Sequence, residues 1–485
     1  MILARHLIDN RFEGNPDRAI CSPADVREEI GRAAVGDAAV AERAVEAAAA
    51  AFPGWAETPA PARGALLFTL VRLLERDLEP LARLLAHEEG KILGEARGEL
   101  LKAIRYVEFA AGDARRLHGF TTPSELAGTF AFTLWRPKGV VALITPWNFP
   151  VAIPLWKLAP ALVAGNTVVL KPAPETPLIT QKLSELFIEA GFPAGVINVV
   201  HGDAAPATAL IEHPAVKAVS FTGSTAVGRR IEARCGALHK AVQCELGGKN
   251  PLIVLEDADL DMAATACAQG AFGSTGQRCT ATSRAIVHHA VADAFVAKIV
   301  ERAKAMRAGH PLEAGVGMGP SVSRRQMEKV LEYMEIGRAE AALRAGGGRC
   351  EGLPHGWFPQ PTVFDHVAPD ARIATEEIFG PVLSVVRVAS VDEAIRSANA
   401  VEFGLTASVF TRDLSSAFAV IERLDTGITQ VNAPTMGGEA QFPFGGVKST
   451  GTGPKEMGPD AWKFYSDTKT VYINHRVAPR TVGFY

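Results

Sequence analysis

A carboxylate and a cysteine in glycine-rich surroundings are the residues of this chain whose types could do covalent chemistry. Glu245 opens the segment Glu-Leu-Gly-Gly-Lys-Asn, and Cys279 ends the segment Gly-Ser-Thr-Gly-Gln-Arg-Cys. A thiolate can attack an electrophilic carbon, and a carboxylate nearby can take a proton from the thiol or from a water. Taken alone, a cysteine is more often buried and inert, and a glutamate more often lies on the surface without a catalytic role. The rest of the chain must therefore decide between these readings.

Three further polar residues follow predicted strands. Asn148 stands between aromatic residues and prolines, where its amide could be held toward a developing oxyanion. Lys171 begins Lys-Pro-Ala-Pro-Glu and could bind ribose hydroxyls or a phosphate, and Ser224 follows Gly223 at the start of a predicted helix, where phosphates often bind. Alone, these residues fit equally a turn asparagine, a solvated lysine and an ordinary helix cap. Their common position at strand ends favours a ligand site.

Alternating strands and helices must position these residues. Short runs rich in β-branched residues at 140–144, 167–170, 196–200 and 218–221 are separated by helical stretches, which predicts a parallel sheet covered on both faces. A second unit follows residue 251. It has predicted strands at 252–255, 285–287 and 382–386, and predicted helices at 258–272, 291–305, 324–345 and 391–400.

The chain ends are predicted to add smaller elements. Residues 1–35 predict a short hairpin at the edge of the first domain, followed by helices within 37–55, 61–88 and 95–118. The alternating stretch 128–136 predicts a projecting ribbon outside the parallel sheet. The final stretch, 468–474, predicts a strand without a local partner that completes a sheet elsewhere, such as in a second subunit.

Composition excludes several classes of protein. A length of 485 residues predicts two large domains, and 48% hydrophobic with 21% charged residues is typical of a globular chain. The net charge of −3 gives no electrostatic case for binding nucleic acid or an anionic membrane, and no apolar run reaches the roughly 20 residues of a membrane span. The six cysteines lack metal-ligand spacing, so we predict no metal site. Without a secretory segment at the start, we expect reduced thiols in a cytoplasmic enzyme.

Seven motifs, in this order and at this spacing, resemble the aldehyde dehydrogenase superfamily from about residue 15 to the last predicted strand. The resemblance implies an α/β fold with a Rossmann-type cofactor domain at 1–127 and 138–250, an α/β catalytic domain at 251–450, and a β-ribbon oligomerisation arm at 128–137 and 466–485. It also implies a homodimer or homotetramer. The motifs are Pro-Trp-Asn-Phe-Pro at 146–150, Lys-Pro-Ala at 171–173, Phe-Thr-Gly-Ser-Thr at 221–225, Glu-Leu-Gly-Gly-Lys at 245–249, Gly-Gln-Arg-Cys at 276–279, Glu-Ile-Phe-Gly-Pro at 377–381 and Pro-Phe-Gly-Gly at 443–446.

The same resemblance implies roles for individual residues. Cys279 would attack the aldehyde carbon, Asn148 and the backbone N–H of Cys279 would form the oxyanion hole, and Glu245 would activate the water that hydrolyses the thioester. NAD or NADP would accept the hydride. The implied cofactor-binding residues are Trp147, Lys171, Pro174, Gly223, Ser224, Glu377 and Phe379.

Cofactor choice turns on the segment after Lys171. NAD-preferring relatives commonly carry an acidic residue three positions after this lysine, where this chain has Pro174, with Glu175 next. We therefore expect NADP to be tolerated unless Glu175 takes over the acidic role.

The substrate mouth is also implied by resemblance. Lys102 would lie on the inner face of the helix that lines it, with Phe149, Trp156 and Phe444 as aromatic walls and Arg278 nearby. A cation above apolar walls suits an aldehyde that carries an acid at its far end, although Lys102 could instead extend into solvent.

Within the family, the stretches 270–284 and 150–157 are most similar to α-ketoglutarate semialdehyde (2,5-dioxopentanoate) dehydrogenases. Lys102 stands where arginine is expected, so an aromatic or another aliphatic aldehyde stays open as the substrate. A non-catalytic family member is a third reading, and the joint presence of Cys279, Glu245 and Asn148 disfavours it. Glu245 also disfavours a CoA-acylating relative, because that chemistry needs no water-activating base.

Overall fold

Two large sheets organise the computed structural model, which describes residues 1–476. The first has eight strands, and its five central strands are parallel and almost wholly buried, as expected of apolar strands covered on both faces. The two strands at one edge and the one at the other run antiparallel. In spatial order the strands are Gly451–Thr452, Ala241–Glu245, Val216–Thr222, Val140–Ile144, Thr167–Lys171, Ile197–Val199, His6–Ile8 and Arg11–Glu13.

Eight helices belong to this first unit, and their apolar faces form its core. The side chain of Asp37 accepts a hydrogen bond from the Val40 N–H (3.1 Å) and so caps the first of them. The helices are Ala38–Glu57, Ala60–Arg76, Leu78–Glu89, Leu93–Asp113, Ala152–Ala164, Pro177–Glu189, Ala204–Glu212 and Thr225–Ala237. A small sheet beside them contains the strands Ile2–Ala4, Asp25–Ala33 and Arg18–Ser22.

The second large sheet has seven strands, all parallel except the first, which is antiparallel to its neighbour. In spatial order they are Ala342–Ala345, Thr362–Asp365, Val382–Val388, Thr282–His288, Asn250–Val254, Thr406–Phe410 and Ile428–Val431. Its helices are Leu260–Phe272, His289–Ala305, Arg324–Glu340, Arg372–Thr375, Val391–Asn399 and Leu414–Arg423. The same part of the chain also contains two 3-10 turns, Gly273–Gly276 and Ala461–Tyr465, and a two-stranded ladder of Phe403–Gly404 with Val447–Lys448.

A three-stranded antiparallel ribbon stands beside the two sheets. Its central strand, Thr129–Pro137, pairs along its whole length with Ser466–Asn474 and on its other side with Thr121–Pro123. The α/β fold class predicted from the sequence, with a β-ribbon beside the two α/β units, is thereby confirmed.

Several element predictions were wrong in detail. The helix predicted over 324–345 ends at Glu340, because residues 342–345 pair with Thr362–Asp365 as an edge strand, and this pairing outweighs the helix propensity of an alanine-rich segment. The last strand lacks a local partner, as predicted, and completes the ribbon sheet by pairing with Thr129–Pro137 of its own chain. Residues 1–35 contribute strands to two sheets instead of one hairpin. Part of the predicted arm, 477–485, lies outside the described residues.

No helix among residues 1–476 has the length and apolar character needed to cross a membrane.

Candidate active site

Cys279 and Glu245 lie at the border of the two sheets, where the carboxyl ends of the first sheet face the amino ends of the second, and the charge of Glu245 acts on Cys279. Glu245 is the last residue of its strand, and Cys279 follows the 3-10 turn Gly273–Gly276, in which Ser274 and Thr275 adopt φ of +48° and +57°. Cys279 is half-buried. Burial first, and then the negative charge of Glu245, raise the pKa of the Cys279 thiol to about 12. The thiol therefore needs a base or a positive charge beside it to react at neutral pH.

The Glu245 carboxyl is held in a tight, dry space. It is 5% exposed, and a Cβ on Gly445 would lie 2.5 Å from its Oε1, so only glycine fits there. Its Oε2 is buried and forms no hydrogen bond within residues 1–476. Burial first, and then the negative charge of Glu456, raise the pKa of Glu245 well above its usual value. A carboxyl with a raised pKa and a free oxygen is suited to accept a proton from a thiol or a water.

A buried ion pair braces the Asn148 loop. Lys91 Nζ donates to the backbone carbonyl of Asn148 and to Glu99 Oε2, both at 2.6 Å. The other oxygen of Glu99 accepts from the N–H groups of Val151 (2.8 Å) and Ala152 (3.1 Å), at the start of the following helix. The Asn148 amide donates one hydrogen bond to the Gln277 carbonyl (3.0 Å) and lines the same cleft as Cys279. Its remaining N–H is thus free to point toward a substrate oxygen.

A cleft runs from Cys279 along the carboxyl ends of the first sheet. Trp147 and Phe379 meet edge to face at 5.5 Å on its wall, and Phe379 has a left-handed φ of +60°. Gly223 and Ser224 line the cleft at the start of the helix Thr225–Ala237, and the N–H groups of a helix start suit a phosphate.

The acidic residues of the cleft have open hydrogen-bonding capacity. Glu377 lines the cleft and accepts from the Gly248 N–H (3.1 Å), and a Cβ on Gly247 would lie 2.5 Å from its carboxylate. Glu175 also lines the cleft, and its Oε2 is buried without a hydrogen bond among residues 1–476. Pro174, predicted to contact the cofactor, is half-buried and is not among the lining residues.

Lys171 is buried behind the cleft. Its Nζ donates to the carbonyl of Pro172 at 2.9 Å, and burial lowers its pKa to about 8, with Glu175 and Asp203 opposing the shift. A buried cation, an unpaired carboxylate oxygen and a helix start therefore converge on one cleft. This donor set fits a dinucleotide with hydroxyl and phosphate groups.

A second opening lies beside the helix Leu93–Asp113, close enough for the charge of Cys279 to act on Lys102, and we call it the substrate funnel. Lys102, Arg105, Tyr106 and Phe109 line its mouth on the helix Leu93–Asp113, opposite the loop 438–441. Deeper, Trp156 contacts Tyr106 edge to face (5.6 Å) and lies 5.5 Å from the ring of Phe444. The funnel therefore has aromatic walls below a mouth where Lys102 and Arg105 stand beside Glu108 and Glu439.

Lys102 is half-buried and forms no hydrogen bond or ion pair within residues 1–476. Burial first, and then Arg278, lower the pKa of its ammonium, while Cys279 and Glu99 oppose the shift. Arg278 is already engaged, because it donates to Glu95 Oε1 (3.0 Å) and to Ser274 Oγ (2.8 Å), and it lies 5.8 Å from the Phe149 ring. Of these two cations, Lys102 is the one with bonding capacity left for a ligand.

Two residues that are near the site's motifs in the sequence lie away from the site in the structure. Cys244 neighbours Glu245 in the chain, but its side chain points into the core, where burial raises its pKa to about 12. Arg284 is fully buried and donates to the backbone carbonyls of Lys249, Ser397 and Ala398, so it ties loops together.

Glu456 and Lys157 were missed by the sequence analysis. Buried Lys157 donates to Glu456 and to Ser220 Oγ (2.8 Å), and Trp156 Nε1 donates to the other oxygen of Glu456 at 2.5 Å. Glu456 thereby sets both the charge beside Glu245 and the position of an aromatic wall.

Lys91 and Glu99 were missed as well. The signal available was a cluster of charged residues in otherwise apolar helical segments, which must be paired if buried.

Comparison with known proteins agrees with this geometry. The model of the Aldehyde dehydrogenase family matches residues 13–471. The chain is 43% identical over 456 residues to the alpha-ketoglutaric semialdehyde dehydrogenase of Bacillus subtilis (strain 168), covering 93% of each chain. It is 45% identical over 436 residues to the 2,5-dioxopentanoate dehydrogenase of Saccharolobus solfataricus, covering 89% of this chain and 91% of the relative. It is also 44% identical to aldehyde dehydrogenase 1A1 of Mesocricetus auratus, covering 90% and 88%.

Solved structures share the fold over the full length. The betaine aldehyde dehydrogenase of Staphylococcus aureus, in complex with NAD+, superposes with a TM-score of 0.96 at 33% identity, covering 100% of this chain and 97% of that one. An NADP dependent enzyme of E. coli gives a TM-score of 0.94 at 36% identity, covering 97% and 98%. The shared fold is thus found with either form of the cofactor named.

Proposed function

The chain belongs to the aldehyde dehydrogenase family and is a nicotinamide-dependent aldehyde oxidoreductase, and we propose that its substrate is α-ketoglutarate semialdehyde. The half-buried Lys102, with no partner at the mouth of an aromatic funnel, carries this proposal. A carboxylate at the far end of the aldehyde would pair with this ammonium while the aldehyde reaches Cys279. Two relatives at 43% and 45% identity bear the name of this activity, which supports the assignment.

For the chemical steps, we propose that Glu245 takes the Cys279 proton as the thiol attacks the aldehyde carbon. The new C–S bond gives a thiohemiacetal, whose oxyanion accepts hydrogen bonds from Asn148 and from the Cys279 N–H. A bound nicotinamide supplies the hydride acceptor for this family's chemistry. Loss of a hydride from this oxyanion leaves a thioester on Cys279, and Glu245 releases the thiol proton to solvent. Glu245 then takes a proton from the water that attacks the thioester. The acid leaves as the C–S bond breaks, and the Cys279 thiolate takes that proton back.

We further propose NAD as the preferred cofactor. Trp147 and Phe379 would flank the nicotinamide, Lys171 and Glu377 would bind ribose hydroxyls, and the backbone at Gly223 and Ser224 would bind a phosphate. Glu175 lines the cleft with an unpaired carboxylate oxygen, so a ribose 2′-hydroxyl could donate to it. A 2′-phosphate at the same place would meet a negative charge. This places Glu175, instead of Pro174, in the acidic role.

A homo-oligomer built through the ribbon is also part of the proposal. Ser466–Asn474 is the edge strand of the ribbon sheet, and Tyr472 and Ile473 on it are exposed, as is Phe130 on the adjacent strand. An exposed edge with apolar side chains favours burial against a second copy. Light scattering of the intact chain and of a Tyr472→Asp, Ile473→Asp variant would test it, with a monomeric intact chain as the contradicting outcome.

The substrate proposal is tested by Lys102→Ala. The ammonium–carboxylate contact is worth about 1.5–3 kcal/mol, or about 10- to 150-fold in binding. It acts equally before and during the chemical step, so KM for the acidic semialdehyde should rise with kcat nearly unchanged. A neutral aldehyde of similar length serves as the matched substrate and should be affected little. Equal losses for both substrates, or none for either, would contradict an acid-binding role and favour an apolar or aromatic aldehyde.

A further inference from the structure

Two histidines and a glutamate from three different segments lie close together near the surface of the molecule. Glu28 lies on the strand Asp25–Ala33, His87 on the helix Leu78–Glu89, and His310 in the segment that follows the helix His289–Ala305. Each offers one nitrogen or oxygen atom, and these three atoms all lie within 4.8 Å of one another. This cluster plays no part in the aldehyde chemistry described above.

His87 has an unusual environment within the cluster. Its Nε2 is shielded from solvent and lies 3.0 Å from Glu28 Oε2, but it makes no hydrogen bond with correct angles to any of residues 1–476. A buried ring nitrogen normally has a partner. The His87 nitrogen and the Glu28 oxygen are close but not aligned for a hydrogen bond. Two ligands of the same metal ion are arranged in this way, because both point toward the ion and not toward each other.

The surroundings of His310 also favour a cation. The ring of His310 lies 5.7 Å from that of His87 and is half-buried. The carboxylates of Glu28, Glu313 and Asp25 all act electrostatically on it. Asp25 is held by Arg27 at 2.6 and 2.8 Å, which leaves Glu28 as the carboxylate without a cationic side chain of its own.

We propose that Glu28, His87 and His310 bind a divalent transition-metal ion of the Zn²⁺ type, with water in the fourth position. Two imidazoles and one carboxylate are a common zinc ligand set, with ligand distances of about 2.0–2.2 Å. Tetrahedral ligands at that distance lie roughly 3.4 Å apart, so small side-chain rotations close the site. Binding through Nε2 of His310 requires the Nδ1–H tautomer, which gives up one long hydrogen bond from the Leu312 N–H (3.3 Å).

Such an ion would join the two large units of the chain. Glu28 and His87 belong to elements beside the first sheet, whereas His310 follows a helix of the second. The same border carries a contact of Pro320 with Gly90, next to Lys91, which holds the Asn148 loop. The bound ion would therefore fasten the border of the units at a distance from the reacting atoms. This role is independent of the proposed substrate and cofactor.

Zinc titration calorimetry on a tag-free Cys279→Ala chain tests the site, because this background removes the reactive thiol as a competing ligand. We expect one Zn²⁺ per chain. His87→Asn and His310→Asn should each weaken binding by more than the 10- to 100-fold that loss of an outer-shell partner typically costs. His118→Asn, at an exposed histidine outside the cluster, is the matched control and should bind as the parent does. Zn²⁺ should also raise the melting temperature of the parent and of His118→Asn, and it should leave that of His87→Asn and His310→Asn unchanged.

Glu28→Gln protects the test against misfolding of the histidine variants, since the Glu28 side chain is 48% exposed and its loss leaves no buried gap. We expect it to fold normally and to bind Zn²⁺ at least about tenfold more weakly. Absence of binding in the parent, or equal affinity in the parent, both histidine variants and Glu28→Gln, would overturn the proposal.

Discussion

The two openings near Cys279 are built in different ways. The cofactor cleft combines strand ends, a helix start and glycines of the first unit with side chains of the helix Arg324–Glu340. The substrate funnel is formed by side chains of the helix Leu93–Asp113 and of loops between residues 436 and 457. The backbone part of the cleft requires glycines and strand ends at close spacing in the sequence, whereas a funnel of side chains can be rebuilt by substitution. We therefore expect substitutions in the funnel, more than in the cleft, to change which aldehyde is accepted.

The largest expected effect is at Cys279, which lines the cofactor cleft. Cys279→Ala should reduce turnover by at least about 10³-fold, since no other nucleophile is placed to form the thioester. Cofactor affinity, measured by calorimetry, should stay near the wild-type value because the cleft is unchanged. Cys244→Ser is the matched control and should keep its activity. Substantial dehydrogenase activity in Cys279→Ala would refute the role of Cys279 as the nucleophile.

Glu245→Gln should separate the two halves of the reaction. This variant lacks the proposed base that activates water, so steady-state turnover should fall by about 10²- to 10⁴-fold. If another base suffices for the first proton, stopped-flow measurement should record a burst of reduced cofactor followed by a slow phase. A wild-type steady-state rate in this variant would assign water activation to a different residue.

Glu175→Gln tests whether a single side chain of the cofactor cleft governs the choice between NAD and NADP. Removing the negative charge should raise kcat/KM for NADP relative to NAD by about tenfold, or about 1.4 kcal/mol. Initial rates with both cofactors at limiting concentration measure this ratio. Pro174→Gln is the matched control and should leave the ratio unchanged. The opposite result, a shift with Pro174→Gln alone, would show that position 174 and not Glu175 governs the choice between NAD and NADP.

The smallest effect is expected from Glu456→Gln, as a change in pH dependence. The negative charge of Glu456 raises the pKa of Glu245, so its removal lowers that pKa. A base with a lower pKa stays deprotonated in more acidic solution. The acidic limb of the kcat/KM profile should therefore move to lower pH, and an unmoved limb would show that Glu456 does not act on the base.

The cleft could be predicted from sequence more fully than the funnel or the proton environment. Cys279, Glu245 and Asn148 stand in short motifs at strand ends, and the structure brings them to one place. Glu456 could not be found that way, because its partner Lys157 lies about 300 residues earlier and only the folded chain joins them. Lys102 was placed by resemblance to the family, whereas its lack of a partner is visible only in three dimensions.

The ribbon has a consequence for how the chain is made. The strand Thr129–Pro137 pairs with Ser466–Asn474, so more than 300 residues must be made between the two partners. Phe444 and Glu456, which lie at the funnel, also belong to this later part of the chain. Until the later strand is made, the growing chain carries an open, partly apolar strand edge and an incomplete catalytic centre. We therefore expect a chain that stops before residue 466 to be inactive and prone to aggregate.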